Sequence, residues 1–375
     1  MSDRPRVIVC GTGFGRVHLA ALERPGTPFE LAGVLARGGE RSRLCAERAG
    51  VPLFTDVDET PDDVDLACVV LLADVNGGPG SQVAARLMER GVHVLQEAPL
   101  LHDELAASLR AARRNRVVFR VNTHYVHLDP VRRFVAAART LLARGPALFV
   151  DAACGVQVSY TMFDILGQAL GGLRPWGFAE PGGLPEAVRR LSESAPPFRT
   201  VEGVLAGVPL TLRVQNQLHP ADPDNHAHLL HRITLGTEGG TLTLVNTHGP
   251  VLWSPRPHLP ARARELTALD GAEDEHLDFP SCVPIGPARA PSYREILGEM
   301  WPAGAGRAID AAWEAVRNNR DPLKEGQYHL SVSKAWQDVA AVLGYPERLA
   351  GPPPSPLSAG DLMSAMSAEH QEVPL

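Results

Sequence analysis

The sequence predicts an α/β domain built on a doubly wound parallel sheet, followed by an α+β domain with an open, largely antiparallel sheet. Three observations predict it. Short apolar runs alternate with helical patterns through the first third of the chain, the signature of βαβ units. Beyond residue 122 the runs become longer and alternate apolar with polar positions, as half-buried antiparallel strands do. The chain has 375 residues, too many for one ordinary core and comfortable for two, since domains usually run to about 100–200 residues. The boundaries are placed at 1–123 and 124–350, with 351–375 a poorly ordered tail.

In the first domain, strands are expected over residues 6–10, 29–35, 66–72, 92–96 and 117–122. Between them residues 17–22, 41–49, 81–90 and 103–115 read as helices, with Asp103 as N-cap of the last and Gly91 as the stop of the third. Right-handed crossovers then favour a doubly wound sheet. Asp129-Pro130 opens a helix to about residue 144, with Pro at the first helical position, where its missing N–H is harmless. Residues 210–215, 231–236 and 241–246 follow as meander-like strands, with Glu238-Gly239-Gly240 turning between the last two. Turn and cap residues at 286–293 and 317–327 flank a helix over 303–317, and an amphipathic helix follows over 328–343. The tail opens Gly351-Pro-Pro-Pro-Ser-Pro, with a helical turn or two expected over 361–366.

Composition excludes several classes. Hydrophobic residues make up 44% and charged residues 21%, the usage of a globular protein. The net charge of −7 carries no long block of either sign, so no nucleic-acid partner is expected. No run reaches the about 18 apolar residues of a membrane helix, and MSDRPRVIVCGTG moves straight into a strand pattern, so a cytoplasmic protein with no membrane partner is expected. The five cysteines are odd in number, widely spaced and free of CxxC pairs, which suggests neither a disulfide framework nor a thiolate zinc site; Cys10 and Cys68 lie in apolar runs as small hydrophobes. His226-x-His228-x-x-His231 is the only metal-like grouping. On a strand 226 and 228 would share one face and 231 the other, with no carboxylate or thiolate to complete a site, so no metal is expected. Trp176, Trp253 and Trp301 read as core or interface aromatics, Trp301 in a Pro/Gly-rich setting suited to a cleft wall.

Chemistry first appears at Gly11-Thr12-Gly13-Phe14-Gly15-Arg16, which follows the first strand and opens a helix. Glycine there allows a tight turn and brings backbone N–H groups up to a pyrophosphate at the positive end of the helix. The spacing is irregular, since the usual third glycine position is Arg16 and Gly15 comes one residue early. An ordinary glycine-rich turn is the alternative, and the βαβ context argues against it. After the second strand, Ala36-Arg37-Gly38-Gly39-Glu40-Arg41-Ser42 offers no acid at its start for ribose hydroxyls. Arg37, Arg41 and the Ser42 hydroxyl suit a 2′-phosphate, so NADPH/NADP is favoured over NAD; a solvated helix start is the alternative for the two arginines.

The N-terminal pattern, Gln96-Glu97-Ala98-Pro99 after the fourth strand and the second domain together resemble the glucose–fructose oxidoreductase/inositol dehydrogenase family. More narrowly, GTGFGRVHLAAL, FELAGVLARGGERS, VHVLQEAPL, VNTHYVHL and FVDAACGVQVSYTMFDILGQALGG resemble the thiazolinyl imine reductases of siderophore assembly lines. The resemblance implies a Rossmann domain holding the dinucleotide through Gly11, Thr12, Gly13, Phe14, Gly15, Arg37, Gly38, Arg41, Ser42, Glu97, Ala98, Pro99 and Asn122. Two departures stand out. Ala98 takes the place of the wider family's lysine, and of the histidine common in the thiazolinyl branch; Thr161 replaces the family histidine three residues before the aspartate matched by Asp164. The only lysines are Lys324 and Lys334, so no lysine of the first domain can act.

Reducing a cyclic imine needs hydride at carbon and a proton at nitrogen, and no base to remove a hydroxyl proton. Loss of the lysine fits that reaction better than alcohol oxidation. The resemblance places the acid at Tyr125, with His124 and His127 behind it; the alternative is that Tyr125 only packs against the substrate or nicotinamide ring and water supplies the proton. It further implies a thiazoline thioester carried on a nonribosomal peptide synthetase carrier domain, reduced to a thiazolidine, and a homodimer by family analogy. Rival readings are an NADP-dependent sugar or polyol dehydrogenase of the same fold and a non-catalytic NADP-binding regulator.

Overall fold

A computed structural model describes residues 4–73, 77–183, 185–257 and 275–372. The first sheet is built from β1 (Arg6–Cys10), β2 (Glu30–Leu35), β3 (Leu53–Phe54), β4 (Leu66–Val69), β5 (His93–Glu97) and β6 (Phe119–Asn122). All pairings are parallel, in the order β3-β2-β1-β4-β5-β6. The helices between the strands are α1 (Gly15–Leu22), α2 (Glu40–Ala49), α3 (Gly80–Glu89) and α4 (His102–Asn115). Val7, Ile8, Val9 and Cys10 are all fully buried, because helices cover both faces of a parallel sheet, and this is why β1 reads as a continuous apolar run. The order reverses between β1 and β4, so the carboxyl ends of these strands open the crevice where such sheets bind ligands.

After α5 (Asp129–Leu142), the second sheet takes β7 (Ala147–Gly155), and α6 (Ser159–Leu170) returns along it before β8 (Trp176–Phe178) and the short α7 (Glu186–Arg189). It is completed by β9 (Phe198–Leu205), β10 (Val208–Gln215), β12 (His231–Thr237), β13 (Gly240–Leu244), β14 (Val251–Pro255) and β15 (Val283–Pro284), while β11 (Gln217–Leu218) pairs elsewhere. The order is β15-β14-β13-β12-β7-β10-β9-β8, antiparallel throughout except that β7 and β10 run parallel. The expected meander is corrected at that point, because α6 carries the chain back before the strands resume. Phe134 of α5 and Phe163 and Leu166 of α6 pack with Leu212, Ile233 and Leu242 in one core on one face of the sheet.

The chain then revisits the first domain. The short α8 (Tyr293–Glu295), a π-turn over Ile296–Met300 and α9 (Trp301–Arg317) form one continuous helical run, and α10 (Pro322–Leu343) follows. Ala305, Ala308, Ile309 and Ala312 of α9 pack in one core with Leu19 and Leu22 of α1, while Ser333 of α10 donates to the Leu100 carbonyl at 2.7 Å. A final parallel pair joins β11 to β16 (Glu347–Arg348). Among the described residues no helix is long and apolar enough to cross a membrane.

Several boundaries differ from expectation for identifiable reasons. α4 starts at His102 with Leu101 at the N-cap, so Asp103 lies inside the first turn; Glu104 does the capping, its carboxylate accepting the Leu101 N–H at 3.1 Å. Pro130 is the second rather than the first residue of α5. Helical structure begins before residue 303, because Ser292 and Glu295 form a reciprocal capping box. Similarly, Asp321 accepts the Leu323 N–H at 2.9 Å and starts α10 well before residue 328. The tail is corrected as well: α11 (Ala359–Glu372) forms behind a Ser358/Asp361 cap, with residues 359–367 exposed.

Candidate active site

Gly11 follows β1 directly with φ +98°, and its N–H donates to the Leu35 carbonyl at 2.8 Å. A Cβ there would lie 2.5 Å from the Val70 carbonyl oxygen. Gly13 differs, since a Cβ on it meets nothing within 4 Å and its face is open. Gly15 is the first residue of α1, where a Cβ would sit 3.3 Å from Val9 Cγ1, the close helix–strand packing that such turns need. Arg16, at the usual third-glycine position, turns back, its Nε donating to the Gly13 carbonyl at 3.1 Å, so it tightens the turn. No side chain caps α1 and no acid lies in its first turn. The unclaimed N–H groups, the positive helix end and the open face at Gly13 fit a dinucleotide pyrophosphate.

At the end of β2, Arg37 and Arg41 are exposed, and neither has a hydrogen-bond or ion-pair partner among the described residues. Gly38 takes φ +73° and Gly39 caps α2. Ser42 departs from expectation: it is 4% exposed and its Oγ donates to the Gly39 carbonyl at 2.7 Å, so its proton is spent inside the helix turn.

The polar centre lies where β5 and β6 end. Glu97 precedes the cis Ala98–Pro99 bond. The Asn122 side-chain oxygen accepts the His124 N–H at 3.0 Å, which fixes the amide so that its Nδ2 donates to Glu97 Oε2 at 2.8 Å. Oε1 of Glu97 has no hydrogen-bond partner among the described residues. His18 of α1 brings its Nε2 to 3.9 Å from Oε2. Burial pushes the Glu97 carboxyl up to about 8, against a downward pull from the Asn122 hydrogen bond. Burial and the nearby His127 push His18 down to about 4. At neutral pH the pair is therefore mostly a carboxylic acid beside a neutral imidazole.

Beyond Asn122 the chain enters the second domain through a strained residue. His124 has φ +57° and ψ −60°, is 1% exposed, and neither ring nitrogen has a hydrogen-bond partner. Its ring lies 4.9 Å from Phe14, 5.4 Å from Tyr125 and 5.6 Å from Trp301. Burial lowers its pKa well below the ordinary value, so His124 stands as a neutral imidazole among the rings of Phe14, Tyr125 and Trp301. Tyr125 and His127 form a 3-10 turn, in which the His127 carbonyl accepts from Arg307 Nη1 at 2.8 Å. Burial lowers the His127 ring to about 4, with Arg120, Arg132 and Arg307 adding to the effect. The Tyr125 hydroxyl has no hydrogen-bond partner among the described residues, and burial, with Asp224 and Glu97 nearby, pushes its pKa well up.

Trp301, expected at a cleft wall, and His231 complete the wall, together with His248 and Thr247, which the sequence did not single out. Trp301 Nε1 donates to His248 Nε2 at 3.1 Å, fixing the indole against Phe14. His231 is fully buried, its ring 4.9 Å from Tyr125. Its Nε2 lies 3.1 Å from the Val158 carbonyl and 2.7 Å from Thr161 Oγ1, and its Nδ1 lies 3.0 Å from Thr247 Oγ1. The carbonyl accepts only, so Nε2 carries the proton and Thr247 donates to Nδ1. His231 is thus a satisfied neutral imidazole packed beside Thr161. His226 and His219 stack at 4.4 Å, apart from that arrangement, and among the described residues no group of three or more His, Cys, Asp or Glu is placed to hold a metal ion.

Comparison with known proteins agrees with this architecture. Residues 5–123 match the Gfo/Idh/MocA description "Oxidoreductase family, NAD-binding Rossmann fold", and residues 146–254 match "Thiazolinyl imine reductase Irp3-like, C-terminal". No curated protein sequence matches the chain. Among solved structures, the chain is similar to UDP-N-acetylglucosamine 3-dehydrogenase GnnA from Acidithiobacillus ferrooxidans, with TM-score 0.61, 15% identity, and 90% of this chain and 97% of that one covered. It is also similar to KijD10, a 3-ketoreductase from Actinomadura kijaniata in complex with TDP-benzene and NADP (TM-score 0.61, 17% identity, 93% and 100% covered). GenD2 from gentamicin A biosynthesis, in complex with NAD, gives TM-score 0.58 at 18% identity, with 90% and 93% covered. These likenesses concern the fold. The chain is an oxidoreductase with a Gfo/Idh/MocA-family NAD(P)-binding Rossmann domain followed by an Irp3-like C-terminal domain.

Proposed function

We propose that this protein reduces the C=N bond of a thiazoline to a thiazolidine with NADPH, on a substrate tethered to a nonribosomal peptide synthetase carrier domain, as a step of siderophore-type biosynthesis. The observation that carries the reading is the match of residues 146–254 to the C-terminal part of thiazolinyl imine reductases, on a chain whose Glu-x-Pro motif holds Ala98. The likeness to a UDP-N-acetylglucosamine 3-dehydrogenase supports a second reading, a sugar or polyol dehydrogenase. Against it, no lysine stands before Lys324 and Thr161 is no base, so hydroxyl deprotonation has no agent at either position. The deciding assay is NADPH consumption with product mass on a hydroxyphenyl-thiazoline thioester, with NADH and polyols in parallel. A gain of two hydrogens supports the reading; turnover of polyols alone overturns it.

Gly11 to Gly15 would hold the pyrophosphate, and Arg37 and Arg41 the 2′-phosphate. When bound, the cofactor supplies hydride. A charge-assisted hydrogen bond contributes about 1.5–3 kcal/mol, so Arg37→Ala and Arg41→Ala should each weaken NADPH binding by about 10–100-fold. NADH binding should be little changed. Equal loss for both cofactors in a fluorescence titration would remove the 2′-phosphate assignment.

The Tyr125 hydroxyl, held protonated beside the cleft, serves as a hydrogen-bond donor that orients the ring nitrogen. Removing one net hydrogen bond costs about 0.5–1.5 kcal/mol, so Tyr125→Phe should lower kcat by about 3–10-fold with NADPH affinity unchanged. Unchanged turnover would leave Tyr125 a packing residue. Carrier docking and assembly as a homodimer belong to the same proposal.

A further inference from the structure

Ala98 leaves the reaction without the side chain that usually follows this glutamate, and the neutral His124 and the alkaline-shifted Tyr125 are poor proton sources. Glu97 is differently placed. Asn122, fixed by the His124 backbone N–H, donates to Oε2, so a proton on this carboxyl resides on Oε1, the oxygen without a partner. The Glu97 side chain is 16% exposed, at the carboxyl end of β5. Tyr125 and Glu97 lie within electrostatic reach of each other across the domain junction.

We infer that Glu97 is the proton donor of the reduction, delivering its proton from Oε1 to the substrate nitrogen while Asn122 holds Oε2. The inference rests on the thiazoline-reducing role proposed above. As the carbon of the C=N bond accepts hydride from NADPH, the π pair moves to nitrogen, which takes the Glu97 proton. The products are the thiazolidine N–H, NADP⁺ and a Glu97 carboxylate, which recovers its proton from solvent. Among the described residues, the groups that reach Glu97 directly are Asn122, a neutral amide, and His18 at 3.9 Å, while Arg120 lies on the neighbouring β6 opposite Leu95. His18 of α1 is neutral, and Cys10 and Cys68 on β1 and β4 are buried thiols held protonated. Of the helices in contact with β5, α3 carries Arg86, paired with Asp56 and Asp58, and α9 carries Arg307, paired with Asp129, together with Asp310. Burial then raises the carboxyl to about 8, so it is protonated at neutral pH and close to the working range of a general acid.

The test compares wild type, Glu97→Gln, Glu97→Asp and Tyr125→Phe from pH 5.5 to 9.5, with NADPH and the thiazoline thioester. Wild-type kcat should fall tenfold per pH unit above about 8. Glu97→Gln should lower kcat by about 10²–10⁴-fold and flatten that alkaline limb; Tyr125→Phe should keep the limb. Glu97→Asp, shorter by one methylene, should retain the limb at reduced kcat, which excludes misfolding as the cause of the Gln effect. An activity-independent readout is carboxyl titration in the cofactor-free protein, by carbon NMR of glutamate-labelled chain. One carboxyl should titrate near 8 and vanish in Glu97→Gln. Thiazoline reduction surviving within threefold in Glu97→Gln, or no carboxyl titrating above 7, overturns the donor role alone. Failure of the wild type to reduce any thiazoline, free or carrier-loaded, overturns the proposed function and this role with it.

Discussion

Lowering the pH from 7 to 5 is expected to destabilise the fold by several kcal/mol. His18, His231 and His248 are 1%, 0% and 5% exposed, and burial lowers them to about 4, about 3 and about 4. His231 and His248 already have partners that suit the neutral ring. Their folded pKa values lie below the ordinary unfolded value of about 6.5, so the unfolded chain binds more protons between pH 6.5 and 4. Stability is then fully present above pH 6.5 and is lost as pH falls toward the folded values. Each buried histidine costs about 2 kcal/mol at pH 5, roughly 6 together, at about 1.4 kcal/mol per unit of pH. Glu97 has the opposite sign, because its folded pKa is raised and the native state holds the extra proton between pH 4.5 and 8. It offsets about 2 kcal/mol on the acid side and, above pH 6.5, makes stability fall as pH rises. Urea unfolding followed by circular dichroism across pH 5–9 checks both limbs. A stability that is flat or rising from pH 7 to 5 would mean these rings are hydrated and not buried.

The parts of the molecule legible in the sequence are those whose causes are local. β1, its glycine turn and α1 occupy 17 consecutive residues, from Arg6 to Leu22, and each position has a reason within a few residues of itself. Helix starts were less legible, because they depend on which acid reaches back to which N–H. Glu104 does so where Asp103 was expected, and the Ser292 and Glu295 pair extends helix beyond residue 303. The parallel pairing of β7 with β10 has no local signature, since it follows from α6 returning the chain across the sheet. The cleft wall is the least legible of all. Phe14, His124, His248 and Trp301 come from four distant parts of the chain and meet where α9 packs back on α1. Glu97 was visible in its motif as a cofactor neighbour. Its protonation was not visible, because that depends on tertiary burial, which outweighs the opposing hydrogen bond from Asn122.

Gly11→Ala and Gly13→Ala should separate what folds the turn from what binds the cofactor. At Gly11 the backbone has φ +98°, a conformation costing an L-residue about 1–2 kcal/mol, and the new methyl would lie 2.5 Å from the Val70 carbonyl oxygen. That oxygen belongs to backbone just past β4 and cannot rotate away, so β1 and β4 must part where their pairing ends at Cys10 and Val69. An apoprotein destabilised by about 3 kcal/mol is expected, of the order of other strain-plus-overpacking changes, with NADPH binding lost at the same time. At Gly13 the methyl meets nothing within 4 Å, so the apoprotein should unfold within about 0.5 kcal/mol of wild type. The methyl there occupies the face toward which the uncapped end of α1 directs its N–H groups, and NADPH affinity should fall by about 100-fold through loss of close backbone approach. Thermal unfolding without cofactor and fluorescence titration with it measure the two effects separately. If Gly13→Ala binds NADPH as wild type does, the pyrophosphate does not lie against this turn, whatever the glycines contribute to the fold.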